Sequence, residues 1–192
     1  SRSPSCTFTW YVATGSKARH LPGIEVDNVT ICDNVGALSF EAVPKRLGVI
    51  GAGVLGLELG SVWKRLGSEV TVLEALPDFL GAADVAVSNE AWNVFTQRQG
   101  LNIVLGAGIE RVSRDAGGVR IDYEVDDEPY VLECDKLVVS VGRVPNTGGL
   151  DGEAVGLRLD ASGFVEVDEH CRTNLPNVWA VGDVVRGPML AH

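Results

Sequence analysis

The chain lacks the cysteine spacings that usually mark metal or disulfide chemistry. Its four cysteines are far apart in the sequence and form no C-x-x-C pair: Cys6, Cys32, Cys134 and Cys171. Isolated thiols of this kind are typical of reduced cysteines in a cytoplasmic protein, and they argue against metal binding. We therefore predict a cytoplasmic location and no metal site.

Long apolar runs and an excess of positive charge are also missing. No apolar stretch approaches the roughly 20 residues needed to cross a bilayer, and residues 1–6 contain no apolar segment typical of a signal peptide. The formal net charge of −10 disfavours nonspecific binding to nucleic acids or anionic membranes. With 192 residues, 45% of them hydrophobic, the chain is expected to be a soluble globular protein of one or two domains.

What the chain does contain is an ordered series of elements between Leu47 and Glu74. An apolar run at residues 47–50 leads directly into Gly51-Ala52-Gly53-Val54-Leu55-Gly56, which has the G-x-G-x-x-G spacing. Apolar residues then recur at helical intervals as far as Gly67, and a second apolar run at residues 70–73 ends at Glu74. This order of strand, glycine turn, helix, strand and acid predicts a dinucleotide-binding βαβ unit. The alternative is a glycine-rich turn in an ordinary α/β domain.

Each part of this unit has a physical reason. Gly51 allows a tight turn, Gly53 lets backbone N–H groups approach a pyrophosphate, and Gly56 lets the helix pack close to the strand. The free N–H groups and the positive end of the helix dipole then attract phosphates. Glu74 occupies the position expected for the acid that binds a ribose 2′-hydroxyl, and residues 75–77 contain no arginine for a 2′-phosphate. We therefore predict NAD rather than NADP.

The remaining sequence predicts an α/β fold, in which a Rossmann-like parallel sheet is accompanied by an antiparallel three-stranded meander. Asp84 is the expected N-cap of a helix that runs to Gln99. The other expected elements are a connection at 17–34, a short helix within 38–44, strands at 101–105 and 137–141, meander strands at 110–113, 119–125 and 130–133, and further strands at 164–167 and 178–181.

Several motifs give the chain a family resemblance over nearly its whole length. In order they are ATGS at 13–16, LPG at 21–23, the glycine-loop segment, SVGRVPNT at 140–147, VDE at 167–169, RTNLPNVWAVGD at 172–183 and PMLAH at 188–192. On these residues the chain resembles the central part of the flavin-dependent pyridine nucleotide-disulfide oxidoreductases, most closely the dihydrolipoamide dehydrogenase group. The resemblance implies an NAD-binding domain at 21–147 and parts of an FAD-binding domain at 1–20 and 148–192.

The resemblance also implies roles for individual residues toward NAD. Residues 51–56 would hold the pyrophosphate and Glu74 the adenosine ribose. Ile109 would pack at the adenine end of the cofactor, and Gly142 would lie at the nicotinamide end. Glu58, expected on the inner face of the first helix, would lie near the nicotinamide and the flavin, whereas spacing alone does not exclude a surface carboxylate.

A second group of residues is implied to contact FAD. Thr14, Gly15 and Ser16 match a segment that touches this cofactor. Asp183 would accept hydrogen bonds from the ribityl chain, although an aspartate after a strand is often only a turn residue. The last four residues would run past the flavin ring: Met189, Leu190, Ala191 and His192.

The departures from the family pattern define what the chain is expected to do. It has no N-terminal FAD-binding glycine motif, no redox-active C-x-x-x-x-C, and no C-terminal dimerisation region with its His–Glu pair. The intact enzyme would oxidise dihydrolipoamide, pass the electrons to FAD and transfer hydride to NAD+. It would do so as a homodimer bound through lipoyl domains to 2-oxo acid dehydrogenase complexes. We assign no catalytic residue here and expect the fragment to be inactive alone.

Two other functions stay open at this point. One is a stand-alone NAD(H)-binding redox-sensing module without catalysis, and the other is a related NADH-dependent flavoprotein reductase with a different acceptor. We also expect the incomplete FAD-domain parts to expose apolar side chains and to promote adventitious self-association. The side chains expected to be exposed are Val165, Val167, Val178 and Trp179.

Overall fold

The structure is a computed structural model, and it describes residues 8–115 and 117–190. The expected flavin contacts of Ala191 and His192 therefore lie outside the described residues, as does Cys6. The chain forms two compact units, Ala18–Gly142 and a second unit that combines Ser1–Lys17 with Arg143–His192.

The elements follow one another in a mixed α/β order. In chain order the strands are β1 (Trp10–Val12), β2 (Ser16–Ala18), β3 (Ile31–Cys32), β4 (Arg46–Ile50), β5 (Glu69–Leu73), β6 (Asn102–Val104), β7 (Gly108–Asp115), β8 (Gly118–Val125), β9 (Glu128–Cys134), β10 (Lys136–Val139), β11 (Arg143–Pro145) and β12 (Val178–Ala180). The helices are α1 (Asn34–Ala37), α2 (Val54–Leu66) and α3 (Val85–Trp92), with a π-helical turn at Asn93–Arg98 and 3-10 turns at Gly152–Val155 and Gly182–Val184.

The Ala18–Gly142 unit is built on a five-stranded parallel sheet in the order β3-β10-β4-β5-β6. Its central strands are almost entirely apolar, because helix α2 covers one face and the strands β7–β9 cover the other. Val49 on β4 and Val138 on β10 have no exposed surface. The predicted α/β fold with a parallel sheet and a separate meander is thereby confirmed.

Helix α2 begins and ends where its glycines dictate. Gly53 is the N-cap, and Gly67 ends the helix in the left-handed region with φ 113°. The buried face carries Leu57, Leu59 and Trp63 against the sheet. The indole N–H of Trp63 donates to the Ala37 carbonyl at 3.1 Å, so the polar atom of this side chain is satisfied inside the core.

Buried and exposed side chains alternate along the meander, as expected for an antiparallel sheet with one face in contact with solvent. On β8 the side chains of Val119, Ile121 and Tyr123 are buried against the parallel sheet, whereas those of Arg120 and Glu124 are exposed. The turn to β9 is shorter than predicted, because Asp126 and Asp127 both adopt positive φ, 52° and 64°. Two such residues complete a tight hairpin, so residues 128 and 129 already belong to β9.

The structure corrects the sequence prediction between β2 and β4. Residues 17–34 are not only a connection, since they include β3, which pairs in parallel with β10 at the edge of the sheet. The short helix lies at Asn34–Ala37 rather than within 38–44. Its position follows from Asp33, whose side chain caps it by accepting the Val35 N–H at 2.8 Å.

The helix predicted from Asp84 to Gln99 begins where expected and changes form before it ends. Asp84 caps α3 by accepting the Ala86 N–H at 2.9 Å. From Asn93 to Arg98 the chain winds as a π-helix, and the Thr96 hydroxyl donates to the Trp92 carbonyl at 2.8 Å in this wide turn. None of the residues of α3 is buried, which leaves the helix attached mainly through half-buried side chains such as Trp92.

The loop before β3 is held by the carboxylate of Asp27, and we therefore expect the stability of the fold to depend on pH. Oδ1 of Asp27 accepts the N–H groups of Val29, Thr30 and Ile31 at 2.8–2.9 Å, and Oδ2 accepts from Arg114 at 2.6 Å. Burial raises the pKa of this carboxyl, but the backbone N–H groups and Arg114 outweigh it and lower the pKa to about 2. The stabilisation is therefore complete above about pH 4 and is lost as the pH falls through about 2.

We accordingly expect Asp27→Asn to lower the free energy of unfolding at neutral pH and to make it less sensitive to acid. Urea unfolding of both proteins across the acid range measures this, with the exposed Asp78→Asn as the control. Parallel acid profiles for Asp27→Asn and the unaltered chain would contradict the assignment.

The second unit has a small core of its own. Strand β1 pairs in parallel with β12, and Leu157, Val165, Ala180 and Val184 form a buried cluster. The predicted strand at 164–167 is not formed, since Val165 makes only isolated bridges with Leu159 and Val185.

The prediction of an exposed apolar patch in this unit is wrong for Val165, which is only 2% exposed. Its N–H donates to the Val184 carbonyl, and its side chain closes the core without any further strand. Val167, Val178 and Trp179 are half-buried rather than open. The exposed aromatic residues are instead Phe8, Trp10 and Tyr11.

Within residues 8–115 and 117–190, no helix has both the length and the apolar character needed to cross a membrane.

Candidate functional site

A cleft of about 810 Å³ opens at the carboxyl ends of the central parallel strands of the Ala18–Gly142 unit. Gly51 and Gly53 follow β4, Glu74 follows β5, and Ser140 follows β10, and all of them line this cleft. From β4 the chain winds outward to β5 and β6 on one side, while β10 lies on the other side. Such a reversal of strand order is the usual ligand position in open parallel sheets.

The three glycines of the loop differ in what surrounds them. A Cβ on Gly51, which has φ 105°, would lie 2.2 Å from the Ser140 carbonyl oxygen, and one on Gly56 would lie 2.1 Å from the Gly51 carbonyl oxygen. Both positions are therefore closed to any side chain by backbone atoms. A Cβ on Gly53 would meet nothing within 4 Å. The space in front of Gly53 is thus open toward the cleft.

The N-terminus of α2 is suited to an anion. Its N-cap, Gly53, offers no side-chain hydrogen bond to the first-turn N–H groups. Those groups have no partner within the helix, and the helix dipole places positive potential at this end. The 13 residues of α2 make this a full-length helix rather than a single turn. A phosphate in the cleft would find both donors and a favourable field.

Glu74, which directly follows β5, is hydrogen-bonded to the glycine loop. Its Oε2 accepts the Ala52 N–H at 2.7 Å, and its Oε1 accepts the Leu76 N–H at 2.9 Å. The carboxylate thus holds the loop in place, while each oxygen keeps a free lone pair for a ligand hydroxyl.

The structure brings together five of the residues expected to bind NAD. Gly51, Gly53, Glu74, Ile109 and Gly142 all line the cleft. The other loop residues are not among those that line it: Ala52 and Gly56 are buried, Leu55 is half-buried and Val54 is exposed.

Glu58 does not lie where the sequence placed it. Its side chain is exposed, and it is not among the residues that line the cleft. Successive helical residues are about 100° apart, so the burial of Leu57, Leu59 and Trp63 turns Glu58 toward the outer side of α2. The predicted inner-face position is therefore wrong, and the role of Glu58 toward nicotinamide and flavin stays a prediction.

Sequence reasoning missed four polar residues of the cleft, Arg19, Glu110, Arg111 and Ser140. Ser140 lies in the quoted SVGRVPNT motif and could have been singled out there. Arg19 and Arg111 lie outside every quoted motif, and only the folded chain places them beside the glycine loop.

A second cluster forms in the other unit around Ser16. The Ser16 hydroxyl donates to Oδ2 of Asp183 at 2.5 Å, and Nε of Arg143 donates to the Ser16 hydroxyl oxygen at 2.6 Å. A further N–H of Arg143 reaches the Ser16 carbonyl at 2.8 Å. Asn146 fixes the same segment through its contacts with the carbonyls of Gly15 and Thr14.

This cluster joins the ATGS segment to the predicted Asp183 and adds Arg143, which the sequence analysis did not single out. Of the expected flavin-contacting residues that follow, Met189 is half-buried and Leu190 is exposed.

The described cysteines are free thiols with no redox partner. Cys32 and Cys134 are buried, and Cys171 is half-buried. Burial raises the pKa of both the Cys32 and Cys134 thiols to about 11, so neither forms a reactive thiolate at neutral pH. The part of the chain that the structure describes contains no group of three or more His, Cys, Asp or Glu residues able to hold a metal ion.

The sequence comparison decides the family. The family model for pyridine nucleotide-disulphide oxidoreductases matches residues 9–192. The chain belongs to this family. Members of the family depend on FAD and use NAD or NADP.

Individual relatives agree with this membership. The dihydrolipoyl dehydrogenase of Cupriavidus necator is 63% identical over 182 residues, which covers 94% of this chain and 38% of the relative. Among solved structures, the Cu(II) complex of RclA, a HOCl-induced flavoprotein disulfide reductase from Escherichia coli, matches with TM-score 0.82 and 28% identity, over 95% of this chain and 41% of that one. LpdA from Mycobacterium tuberculosis matches with TM-score 0.81 and 29% identity, over 91% and 37%. The chain therefore spans about two-fifths of the length of these oxidoreductases.

Proposed function

We propose that the Ala18–Gly142 unit binds NAD+ in its cleft and is the NAD-binding portion of a dihydrolipoamide dehydrogenase. The observation that carries this proposal is the open space before Gly53, which leaves the uncapped N-terminus of α2 accessible from the cleft. The 63% identity to a dihydrolipoyl dehydrogenase supports the choice within the family.

The residues of the cleft would divide the dinucleotide among them. The backbone of residues 51–56 would hold the pyrophosphate, and Glu74 would accept a hydrogen bond from the adenosine ribose. Ile109 would pack at the adenine end, and Gly142 would lie at the nicotinamide end. Glu74 already orients the loop through Ala52, so the ribose site and the phosphate site would be preorganised together.

The second unit would supply part of an FAD site. Asp183 fits this role, because its hydrogen bond to Ser16 leaves acceptor capacity on the carboxylate for a ribityl hydroxyl. Thr14, Gly15, Ser16, Met189 and Leu190 would contact the same cofactor. In domain terms, residues 21–147 would form the NAD-binding domain, with 1–20 and 148–192 as parts of the FAD-binding domain.

In the whole protein the cofactors would supply the hydride chemistry, and this chain would bind and orient them. The substrate would be dihydrolipoamide, and the assembly a homodimer associated with 2-oxo acid dehydrogenase complexes in the cytoplasm. Because no residue here is assigned as a catalytic acid, base or redox thiol, we propose that the 192-residue chain does not oxidise dihydrolipoamide by itself. Activity of the purified chain in that assay would overturn this part of the proposal.

A second candidate is a related flavoprotein reductase with another acceptor. The observation that favours it is the match to RclA, a HOCl-induced reductase, at TM-score 0.82. Turnover of the full-length protein with dihydrolipoamide and with alternative acceptors would decide between the two.

Titration of the purified chain with NAD+ and NADP+ tests the proposed site. We expect NAD+ to bind and NADP+ to bind at least about tenfold more weakly, because the 2′-phosphate would lie beside the Glu74 carboxylate. In Glu74→Gln the repulsion is absent, and the amide oxygen can accept one of the two backbone N–H groups that the Glu74 carboxylate holds. The preference for NAD+ should therefore shrink.

Calorimetry measures both affinities, and an absorbance spectrum recorded beforehand detects any bound flavin. Equal affinities for NAD+ and NADP+ in the unaltered chain would contradict the role of Glu74. Failure to bind either dinucleotide would contradict the proposed site as a whole.

A further inference from the structure

Most arginines of the Ala18–Gly142 unit are held by carboxylates, and the exceptions are unevenly placed. Four of them form ion pairs: Arg46 with Asp135, Arg98 with Glu90, Arg114 with Asp27, and Arg120 with Asp122. Among the described residues, Arg19, Arg65 and Arg111 have no ion pair. Two of these three, Arg19 and Arg111, line the cleft.

Arg111 is left free by the way strand β7 is built. In the register of the meander it lies opposite Asp122, a natural cross-strand partner. Asp122, however, accepts from Arg120 at 2.8 Å on its own strand. The cross-strand pairing is therefore not made, and the guanidinium of Arg111 remains available.

Strand β7 contains a β-bulge where it borders the cleft. The register shifts between Ile109 and Arg111, so Glu110 has no partner on β8. Glu110 and Arg111 are both exposed, although neighbours on a regular strand would face opposite sides, and both line the cleft together with Ile109. Bulges often redirect side chains next to binding sites in this way.

Arg19 lies at a different part of the same cleft. Its backbone N–H donates to the Gly142 carbonyl at 3.0 Å, which fixes its Cα beside the loop that follows β10. Its exposed side chain also lines the cleft. Two unpaired cations therefore lie along a cleft in a chain whose net charge is −10.

We propose that Arg111 binds a phosphate of the dinucleotide from the β7 side of the cleft and that Arg19 adds a second positive charge. This inference rests on the proposed NAD site and adds a phosphate contact that the glycine loop does not provide. Guanidinium groups suit this role because they are always charged and can make two parallel hydrogen bonds to phosphate oxygens. Within the cleft they also offset the carboxylates of Glu74 and Glu110, which would repel an anionic ligand.

The test uses the complete chain and three ligands, NAD+, ADP and uncharged adenosine. We expect Arg111→Gln to lower the affinity for NAD+ and ADP about tenfold, which is the effect of losing one charge-assisted hydrogen bond. The affinity for adenosine should be unchanged. Arg19→Gln should lower the affinity for NAD+ by a smaller factor. Arg111→Lys should recover part of the loss, because it restores the charge without the bidentate geometry.

Arg65→Gln is the matched control, since Arg65 is an exposed and unpaired arginine of the same unit that does not line the cleft. It should leave all three affinities unchanged. The loss in Arg111→Gln should also shrink at high salt, because exposed charges are screened.

The possible results separate the two proposals. If the unaltered chain does not bind NAD+, the proposed function fails. If it binds NAD+ and Arg111→Gln binds it equally well, only the phosphate contact is overturned. An equal loss for adenosine would also overturn the contact, since it would mean that Arg111 stacks on the base. Thermal unfolding of each variant checks that the fold is retained.

Discussion

Replacing Gly51 by alanine should cost about 3 kcal/mol of stability or more, from backbone strain and overpacking together. Gly51 has φ 105°, which an L side chain rarely adopts, and its new Cβ would lie 2.2 Å from the Ser140 carbonyl oxygen. That oxygen belongs to the backbone just after β10, which is hydrogen-bonded through the Ser140 N–H to the Ile50 carbonyl. It cannot move away without breaking this hydrogen bond between the ends of β10 and β4 at the cleft.

The informative control is Gly53→Ala, two residues further along the same loop. Here φ is −71°, and the new Cβ would meet nothing within 4 Å. The change should cost less than about 1 kcal/mol, the usual difference between glycine and alanine at an N-cap. It should nevertheless lower the affinity for NAD+ at least about tenfold, because the methyl group would occupy the space through which the pyrophosphate approaches α2.

Chemical denaturation and NAD+ titration of the two variants measure these effects separately. The expected pattern is a large loss of stability for Gly51→Ala and a loss of binding at nearly full stability for Gly53→Ala. If Gly53→Ala bound NAD+ as tightly as the unaltered chain, the phosphate would not approach the helix through this space. If Gly51→Ala were as stable as Gly53→Ala, the loop would have to be more deformable than its contacts indicate.

The sequence was sufficient to predict the loop, because its constraints are local. Gly51, Gly53 and Gly56 act through the conformation and close packing of neighbouring residues, and Glu74 follows a strand whose apolar pattern is plain. The meander was predictable for the same reason, since turn residues such as Asp126 and Asp127 separate alternating strands.

The features that the sequence did not reveal depend on distant partners. Strand β3 has only two residues, and it is a strand because β10 pairs with it from about a hundred positions away along the chain. Val165 reads as a strand residue, but its burial is completed by Val184 and Leu157 rather than by strand neighbours. Apolar pattern alone indicates burial and not the partner that provides it.

The same reasoning explains what was missed in the cleft. The bulge at Glu110 depends on the register with β8, and the freedom of Arg111 depends on the competing pair between Arg120 and Asp122. Neither can be read from spacing along the chain. Glu58 was misplaced for a related reason, because helical periodicity predicts an apolar face and does not say toward which side of the domain a particular polar residue turns.

Replacing Leu137 by alanine should destabilise the protein by about 3 kcal/mol, within the usual range for a buried leucine. Leu137 lies in the middle of β10, between Ile31 on β3 and Gly48 on β4, and has no exposed surface. Its Cδ1 would lie 3.1 Å from a Cβ placed on Gly48, and Sγ of Cys134 would lie 3.0 Å from the same point. The absent side chain of Gly48 thus makes room for both groups.

This close packing leaves little opportunity for the core to collapse around a shortened side chain. The cluster that contains Leu137 lies between the parallel sheet and the meander, and Ile121 and Val139 belong to it as well. A cavity at this position would therefore loosen the contact between the two sheets. Leu137→Met, which nearly conserves the volume, should cost less than about 1.5 kcal/mol. The exposed Leu38→Ala should change stability by no more than about 0.5 kcal/mol.

Urea unfolding of the three variants, followed by NAD+ titration of the folded fraction, distinguishes an effect on the stability of the core from an effect on binding in the cleft. Leu137→Ala should lose stability and keep most of its affinity, because the cleft residues after β10 are held by their own hydrogen bonds, such as that from Ser140 to Ile50. Gly53→Ala should behave in the opposite way. An effect of Leu137→Ala as small as that of Leu38→Ala would mean that the sheet and the meander do not share one cooperative core. A large loss of NAD+ affinity would instead mean that the packing beneath β10 sets the geometry of the cleft.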